Sequence, residues 1–277
     1  RSVNEPSMCE LFSLSSRLPT RATFSLRHFA EHGAPATGNI DGWGVAFHDG
    51  FDARLYKEPE PAGDSPWLAF IETRPLPTRL LISHIRRATR GPNTHANTQP
   101  FAHALGGRMH LFAHNGGFDA IDQHFTAASG RFHPVGQTDS EMAFCLLLER
   151  LAPLWAGAAA SPRAVPSVAA RRAAVTAFAA DMRPLGIANF LYSDGDFVFG
   201  HGHRRTQANG IVSSPGLWCR HRHRHRAVHH KPGVAIDHDG DDQEITMLAS
   251  VPVTGGKWRP LDDGEIVVIA AGELVTS

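Results

Sequence analysis

Cys9 directly follows Met8, and a cysteine is small enough for a methionine ahead of it to be removed. The terminal cysteine that results has a free α-amine, whose ordinary pKa of about 7.7–8.0 lets it accept the thiol proton. A thiol that has its own base can attack the carbonyl carbon of an amide. The pair therefore predicts acyl-transfer chemistry, with Cys9 as the nucleophile.

Acyl transfer also needs donors for an oxyanion and anchors for the charges of the substrate. Asn115-Gly116, after a predicted strand, offers a side-chain amide and an unhindered backbone N–H. Arg86, just past another predicted strand, can hold a carboxylate with two hydrogen bonds. Asp139, at a predicted helix start, can pair with an ammonium group. Together these anchors match the amino-acid end of glutamine.

Each of these stretches alone also has a structural explanation, since Asp-Gly and Asn-Gly form turns and Thr-Asp-Ser-Glu starts helices. A lone cysteine is usually a small buried side chain. It is the ordered combination of five stretches that favours a catalytic site. They are MCELF (8–12), DGWG (41–44), SHIRRATRG (83–91), AHNGG (113–117) and GQTDSE (136–141).

These motifs resemble the class II glutamine amidotransferases, which are N-terminal-nucleophile hydrolases, and most closely their small stand-alone bacterial (YafJ-like) type. The resemblance covers residues 8–277. It implies an α+β fold, an αββα four-layer sandwich with two antiparallel sheets between helical layers. It also implies one amidotransferase domain over residues 9–277, with no metal and no organic cofactor.

The resemblance further implies a role for each motif residue. In that family the cysteine attacks the γ-amide of glutamine, ammonia leaves, and the thioester is hydrolysed to glutamate. The implied roles are nucleophile for Cys9, oxyanion hole for Asn115 and Gly116, carboxylate binding for Arg86, ammonium binding for Asp139, and shaping of the site near the nucleophile for Trp43 and Gly44.

Two departures from the family pattern bear on activity. Gln99 stands where the family often has a histidine in Asn-Thr-His-Pro-Phe, and we expect this to tune the pocket rather than to abolish activity. Residues 1–8 precede the nucleophile and block its α-amine. We expect them to be a leader, a tag remnant or a propeptide that is removed, and a chain that retains them to be inactive.

Apolar periodicity and turn residues predict an α+β order of strands, helices and strands. Two hairpins are predicted to turn at Asp49-Gly50 and Asp194-Gly195, and the stretch 152–162 is predicted to be a loop. The predicted helices are 20–32, 138–151 and 167–183, and the predicted strands include 79–83, 108–113, TMLASVPV and EIVVIAAGELV.

The 277-residue chain has 27 Lys and Arg against 27 Asp and Glu, so its formal net charge is zero. This balance gives no reason to expect a nucleic-acid or membrane partner. A hydrophobic content of 42% predicts a packed core, and no run of about 18 apolar residues could form a spanning helix. Three cysteines are not a disulfide scaffold, so we expect a cytoplasmic protein in a reducing compartment.

The remaining candidate residues receive structural interpretations. We expect Cys145 and Cys219 to be buried filler, and His84, His110 and His114 to pack in core strands. The run HRHRHRAVHH (221–230) could bind a transition metal or a phosphate-bearing ligand, but a solvated edge strand is the favoured interpretation.

Several functions stay open at this point. A glutaminase domain of this class occupies nearly all of residues 9–277, so we expect no synthase domain within these residues, and the chain could supply ammonia to a synthase on a separate chain. The chain could also act alone, or cleave a specific γ-glutamyl conjugate, as a relative in ergothioneine biosynthesis does. Two non-enzyme alternatives are a glutamyl-binding module, if Cys9 is never terminal, and a metal-binding protein that uses the histidine run.

Overall fold

The computed structural model describes residues 9–24, 41–62, 65–74, 76–87, 90–128, 130–157, 164–207, 209–224, 234–237 and 242–276 of the chain. The strands in chain order are β1 (Glu10–Phe24), β2 (Gly42–Asp49), β3 (Asp52–Glu58), β4 (Pro77–Arg86), β5 (Phe101–Leu105), β6 (Arg108–Phe118), β7 (Gly186–Ser193), β8 (Val198–His201), β9 (Arg205–Thr206), β10 (Val212–Ser213), β11 (Trp218–Arg224), β12 (Val234–Asp237), β13 (Gln243–Ala249), β14 (Arg259–Pro260), β15 (Ile266–Ala270) and β16 (Glu273–Leu274). The α-helices are α1 (Pro66–Thr73), α2 (Ile121–Ala128), α3 (Asp139–Trp155) and α4 (Val168–Met182), and short 3-10 turns cover His95–Asn97 and Arg183–Leu185.

The strands form two large antiparallel sheets and one small ribbon. The first sheet has the order β14-β11-β13-β1-β4-β2-β3, and β12 also pairs with β1. The second sheet has the order β16-β15-β8-β7-β6-β5, and β9 pairs with β10 in the ribbon. The long strand β1 therefore lies at the centre of the first sheet, between β4 and β13.

Three groups of buried side chains hold four layers together. The inner faces of the two sheets pack on each other through residues such as Leu11 and Leu111. Helix α1 covers the outer face of the first sheet, where Leu68 joins Phe12 and Trp43. Helices α3 and α4 cover the outer face of the second sheet in an aromatic-rich cluster. This arrangement confirms the predicted αββα sandwich.

Strand alternation decides which residues of β1 face the second sheet. Successive side chains of a strand point to opposite faces. Leu11 packs between the sheets, whereas Phe12 and Leu14 pack on the outer side. Cys9, two residues before Leu11, therefore lies on the inner side, and Glu10 lies on the outer side.

Most of the predicted elements are confirmed. Both hairpins form, with Gly50 and Gly195 at positive φ in their turns. The two long predicted helices are α3 and α4, which Thr138 and Ser167 cap through hydroxyl oxygens that accept a backbone N–H of the first turn. Cys145 and Cys219 are buried in apolar clusters, as expected.

Two predictions about elements are wrong in part. Residues 20–24 belong to β1 rather than to a helix, with Thr20 paired to Thr78 and Arg21 paired to Asp237, while residues 25–32 lie outside the described residues. Thr and Phe are common in strands, and pairing with the neighbouring strands makes residues 20–24 part of β1. Residues 152–155 continue α3 instead of starting a loop, because Trp155 is fully buried and packs on the His110 ring at 4.9 Å.

Candidate active site

Cys9 lies at the start of β1, at one end of the layer between the sheets, and is half-buried. Its Sγ accepts a hydrogen bond from the backbone N–H of Arg87 and lies at the same 3.1 Å from the carbonyl oxygen of Arg87. Burial raises the pKa of the thiol to about 11, although the backbone N–H of Arg87 acts in the opposite direction. A neutral thiol held by main-chain groups is therefore the resting form of Cys9.

Asn115 reaches Cys9 from β6 of the second sheet. Its side-chain Nδ2 donates to the backbone carbonyl of Cys9 and, at 3.3 Å, to the hydroxyl of Ser250. Its own backbone carbonyl accepts from Nδ2 of Asn189 on β7 at 3.2 Å. The structure thus brings the predicted oxyanion donor into contact with the main chain of the residue that is the predicted nucleophile.

Gly116 has to be glycine because β7 approaches it too closely for a side chain. A Cβ at this position would lie 1.9 Å from the carbonyl oxygen of Ile187, well inside any real contact distance. The next residues along β7 pair with the same stretch of β6. A side chain at position 116 would therefore require β7 to move away from β6.

Arg86 is buried at the end of β4 and organises the loop that follows. Its Nη1 donates to Asn93 Oδ1 at 2.6 Å, and its Nη2 lies 3.2–3.4 Å from the carbonyl oxygens of Arg90, Gly91 and Pro92. Its positive charge also lowers the pKa of the Cys9 thiol. Carboxylate binding by Arg86 stays a prediction, and the loop contacts add a structural role that the sequence did not reveal.

Asp139, the first residue of α3, is buried beside the end of β6. One of its carboxylate oxygens, Oδ2, accepts the backbone N–H of Phe118 at 2.8 Å. The negative charge of Asp139 raises the pKa of the Cys9 thiol, so the carboxylate lies within electrostatic reach of the nucleophile. Ammonium binding by Asp139 stays a prediction.

The other residues of the Thr-Asp-Ser-Glu stretch cap α3 and join its start to β6. Thr138 accepts the backbone N–H of Glu141 at 3.2 Å, and Glu141 accepts two loop N–H groups. The Ser140 hydroxyl bonds Nδ1 of His114 at 2.9 Å, and Nε2 of His114 bonds the Ile187 carbonyl at 2.9 Å. A carbonyl only accepts, so Nε2 carries the proton, and burial lowers the pKa of His114 so that it stays neutral.

Gln99 ties the segment before β5 to the same strand. Its Oε1 accepts the backbone N–H of His114 at 2.6 Å, and its Nε2 donates to the His114 carbonyl at 3.2 Å. The side chain thus imitates a strand neighbour for the residue just before Asn115. A histidine has no planar amide and cannot make both of these bonds, so the departure from the family pattern at position 99 has a structural consequence.

Trp43 and Gly44 lie on opposite faces of β2. Trp43 is wholly buried on the outer face, and its Nε1 donates to Glu58 Oε2 at 3.1 Å. A Cβ on Gly44 would lie 2.1 Å from the carbonyl oxygen of Gln99 and 2.9 Å from Cδ of Pro100. Gly44 therefore lets the segment that holds β6 pack on the first sheet, while contact between Trp43 and a substrate stays a prediction.

Replacing Gly44 by alanine is expected to destabilise the fold, because the backbone carbonyl of Gln99 cannot move away from the new Cβ without shifting the segment before β5. We expect a loss of about 3 kcal/mol or more in the free energy of unfolding, measured by urea denaturation. The matched control is Gly255→Ala, since nothing lies within 4 Å of a Cβ there. Equal stability of the two variants would contradict the close packing of residues 44 and 99.

Sequence reasoning missed the polar residues that contact Asn115. Asn189 sits inside the apolar run IANFLY, and a buried amide in such a run is a signal that could have found it. Ser250 follows the apolar strand β13 and has no comparable signal. Its hydroxyl accepts from both Leu11 N and Asn115 Nδ2.

The structure describes residues 221–224 of the histidine run, and they form the end of β11. His221 Nε2 lies 3.2 Å from Glu244, and His223 contacts the same carboxylate from the same face. Within the described parts of the chain, no group of three or more His, Cys, Asp or Glu side chains could hold a metal ion. The described part of the run fits an exposed strand, and ligand binding by the whole run stays a prediction.

The helices in the described ranges include none that is both long and apolar enough to cross a membrane.

Comparison with known proteins shows the family of the chain. The family model of class II glutamine amidotransferases matches residues 8–277. The chain is 32% identical over 272 residues to the putative glutamine amidotransferase YafJ of Escherichia coli K12, covering 97% of this chain and 100% of YafJ.

Solved structures show the same fold. A predicted glutamine amidotransferase from Pseudomonas aeruginosa PA01 has a TM-score of 0.69 and 28% identity, covering 97% of this chain and 100% of its own. The glutamine phosphoribosylpyrophosphate amidotransferase of Bacillus subtilis has a TM-score of 0.59 at 14% identity, covering 96% of this chain and 48% of its own, which shows the fold alone. The chain therefore belongs to the class II glutamine amidotransferase family.

Proposed function

We propose that the chain is an amidohydrolase that cleaves the γ-amide of glutamine, or of another γ-glutamyl compound, through a thioester on Cys9. The observation that carries the proposal is the meeting of three groups around Cys9. The Asn115 amide bonds the backbone carbonyl of Cys9, and the charges of Arg86 and Asp139 act on the pKa of its Sγ. A nucleophile, an oxyanion donor and two anchors of opposite charge suit a γ-glutamyl substrate.

The thiol needs a base, and the α-amine of Cys9 is the one we propose. A thiol with a pKa of about 11 is protonated at neutral pH. In the described residues, the hydrogen-bond partners of Sγ are main-chain groups of Arg87, which do not take up protons. A free amine on the same residue is close enough to accept the thiol proton, whereas an amide nitrogen bonded to Met8 is not basic.

This base requires that Cys9 be the first residue of the active chain. We therefore propose that residues 1–8 are removed as a leader, a tag remnant or a propeptide, and that residues 9–277 act as one domain. In this form the amine and the thiol share a single residue at the edge of the layer between the sheets. An ammonia-accepting synthase on a separate chain remains compatible with this arrangement.

The proposed reaction has two acyl-transfer steps. Sγ attacks the γ-carbonyl carbon while its proton passes to the α-amine, and the oxyanion is held by Asn115 Nδ2 and the backbone N–H of Gly116. The oxyanion collapses, the C–N bond breaks, and the amine proton goes to the leaving nitrogen, so that ammonia or an amine departs. Water then attacks the thioester carbon while the amine takes its proton. The C–S bond breaks, the proton passes from the amine to Sγ, and glutamate leaves.

Glutamate release from glutamine, with asparagine and the monoamide of glutaric acid as comparison substrates, tests this function. We expect turnover of glutamine, and loss of most of it with the monoamide, which lacks the α-ammonium group that Asp139 would bind. Asp139→Asn should raise KM for glutamine by about tenfold to a hundredfold, the worth of a charge-assisted hydrogen bond. The exposed Asp181→Asn is the matched control, with KM unchanged.

Two results would contradict the proposed function. One is the absence of glutamate release from glutamine and from other γ-glutamyl amides by a chain that begins at Cys9. The other is equal turnover of glutamine and the monoamide, because it would remove Asp139 from substrate binding.

A further inference from the structure

A buried ion pair lies directly behind the nucleophile, on the outer face of the first sheet. Glu10 is 1% exposed, and its Oε1 accepts from Arg205 Nη2 at 3.0 Å. Arg205 is also buried, and its Nη1 donates to the backbone carbonyl of Ser250 at 2.7 Å. One guanidinium therefore joins the residue after Cys9 to the residue after β13.

Ser250 carries this connection through the sheet to Asn115. Its backbone N–H and its Oγ bond the carbonyl and the N–H of Leu11, each at 3.0 Å. The same Oγ accepts from Nδ2 of Asn115 at 3.3 Å. This last contact is longer than the typical N–H···O distance of about 2.9–3.0 Å, so a charged oxyanion can take over the N–H.

The direction of the hydrogen bonds in this chain of groups matters. Burial raises the pKa of Glu10 to about 7, and Arg205 opposes this effect by favouring the charged form. The Ser250 Oγ accepts from two N–H donors, the backbone of Leu11 and Nδ2 of Asn115. An acceptor at this position requires the N–H end of the Asn115 amide to face Ser250, and Oδ1 of Asn115 has no hydrogen-bond partner in the described residues.

A buried ion pair is also expensive to keep for stability alone. Desolvation of two charges often outweighs their attraction, and apolar residues of similar volume pack as well or better. A cost of this kind next to a nucleophile is explained if the pair sets the geometry of the site.

We propose that Glu10, Arg205 and Ser250 are positioning residues, which orient the side-chain amide of Asn115 so that its N–H groups face the acyl oxygen at Cys9. This inference rests on the proposed function, because it concerns the same oxyanion. Glu10 and Arg205 hold the backbone of Ser250 in place, and the Ser250 Oγ accepts from the amide of Asn115.

A double-mutant cycle on glutamate release tests this connection. Ser250→Ala should lower kcat about tenfold and leave KM within about threefold, because the Asn115 amide that Ser250 positions donates to the oxyanion only in the transition state. Asn115→Ala should lower kcat by about 100-fold to 1,000-fold. The double variant should match Asn115→Ala alone, since Ser250 acts through Asn115.

Glu10→Gln provides a second route, because a neutral amide weakens the pair with Arg205, which holds the Ser250 carbonyl. We expect about a tenfold loss of kcat at unchanged KM. The control is Ser167→Ala, which removes the cap of α4 in the outer layer and should lower the melting temperature without changing kcat.

The outcomes separate this inference from the proposed function. If the wild-type chain beginning at Cys9 releases no glutamate, the proposed function fails, and this inference fails with it. If the wild type is active but Ser250→Ala loses the same factor with and without Asn115, only the positioning inference is overturned. Unchanged kcat in both Ser250→Ala and Glu10→Gln would overturn it as well.

Discussion

Cys9→Ala is expected to lower glutamate release by at least about a thousandfold, because the loss of a nucleophile removes the covalent route altogether. The fold should persist, since Cys9 is half-buried at the edge of a strand and joins none of the three buried clusters. Initial rates and urea denaturation of the same preparation separate catalysis from stability.

Cys145→Ala is the matched control for this experiment. Cys145 is a free thiol like Cys9, but it is buried inside α3 within the aromatic cluster, and burial raises its pKa to about 12. Its loss should lower stability slightly and leave kcat unchanged. Turnover that survives Cys9→Ala, or that disappears with Cys145→Ala in a folded protein, would contradict the assignment of the nucleophile.

Mild acid is expected to unfold the protein, because several histidines are buried in the neutral form. Desolvation lowers the pKa of His84 and His110 to about 3, and that of His48 and His201 to about 4. The unfolded chain takes up these protons near the ordinary histidine pKa of about 6.5, whereas the folded chain does not. Stability is therefore present above pH 6.5 and is lost as the pH falls.

The size of this loss can be compared with the effects that oppose it. At pH 5 each of the four histidines costs about 2 kcal/mol, so together they cost about 8 kcal/mol. Burial raises the pKa of Glu10 to about 7 and also raises that of Asp194, so these two carboxyls stabilise the fold as the pH falls. Protonation of Glu10 adds about 2 kcal/mol to the free energy of unfolding between pH 7 and pH 5, which is less than the loss caused by the histidines.

Urea denaturation at pH 7.5, 6 and 5 measures this dependence. The free energy of unfolding should fall by several kcal/mol over the series, which approaches the whole stability of an ordinary domain of about 5–15 kcal/mol. His48→Gln should reduce the loss by about 2 kcal/mol, and the exposed His133→Gln should leave it unchanged. Stability that is constant or rises from pH 7.5 to pH 5 would contradict neutral burial of these rings.

The sequence was sufficient to predict the fold class and most of the elements, because their signals are local. The turn residues Asp49-Gly50 and Asp194-Gly195 predict both hairpins, and the apolar spacing after Thr138 predicts α3. The errors arise where long-range contacts decide between structures. Residues 20–24 become a strand only because β4 and β12 pair with them.

The residues proposed for the site stand out in the sequence by their types and neighbours, but their connections do not. Cys9, Asn115 and Asp139 lie in motifs that predict their roles, and these roles stay predictions. The contact of Ser250 with Asn115 joins residues 135 positions apart, and no local pattern encodes such a pair. The loop-holding role of Arg86 was equally hidden, since backbone carbonyls have no sequence signature.

The most direct test of the proposed catalytic base compares two forms of one preparation. One form retains residues ahead of Cys9, the other is cleaved so that Cys9 is the first residue, and intact mass confirms each. We expect the cleaved form to release glutamate from glutamine and the uncleaved form to release none, because only the cleaved form has a free α-amine on Cys9. Equal turnover by the two forms would contradict the central claim that the amine of Cys9 is the catalytic base.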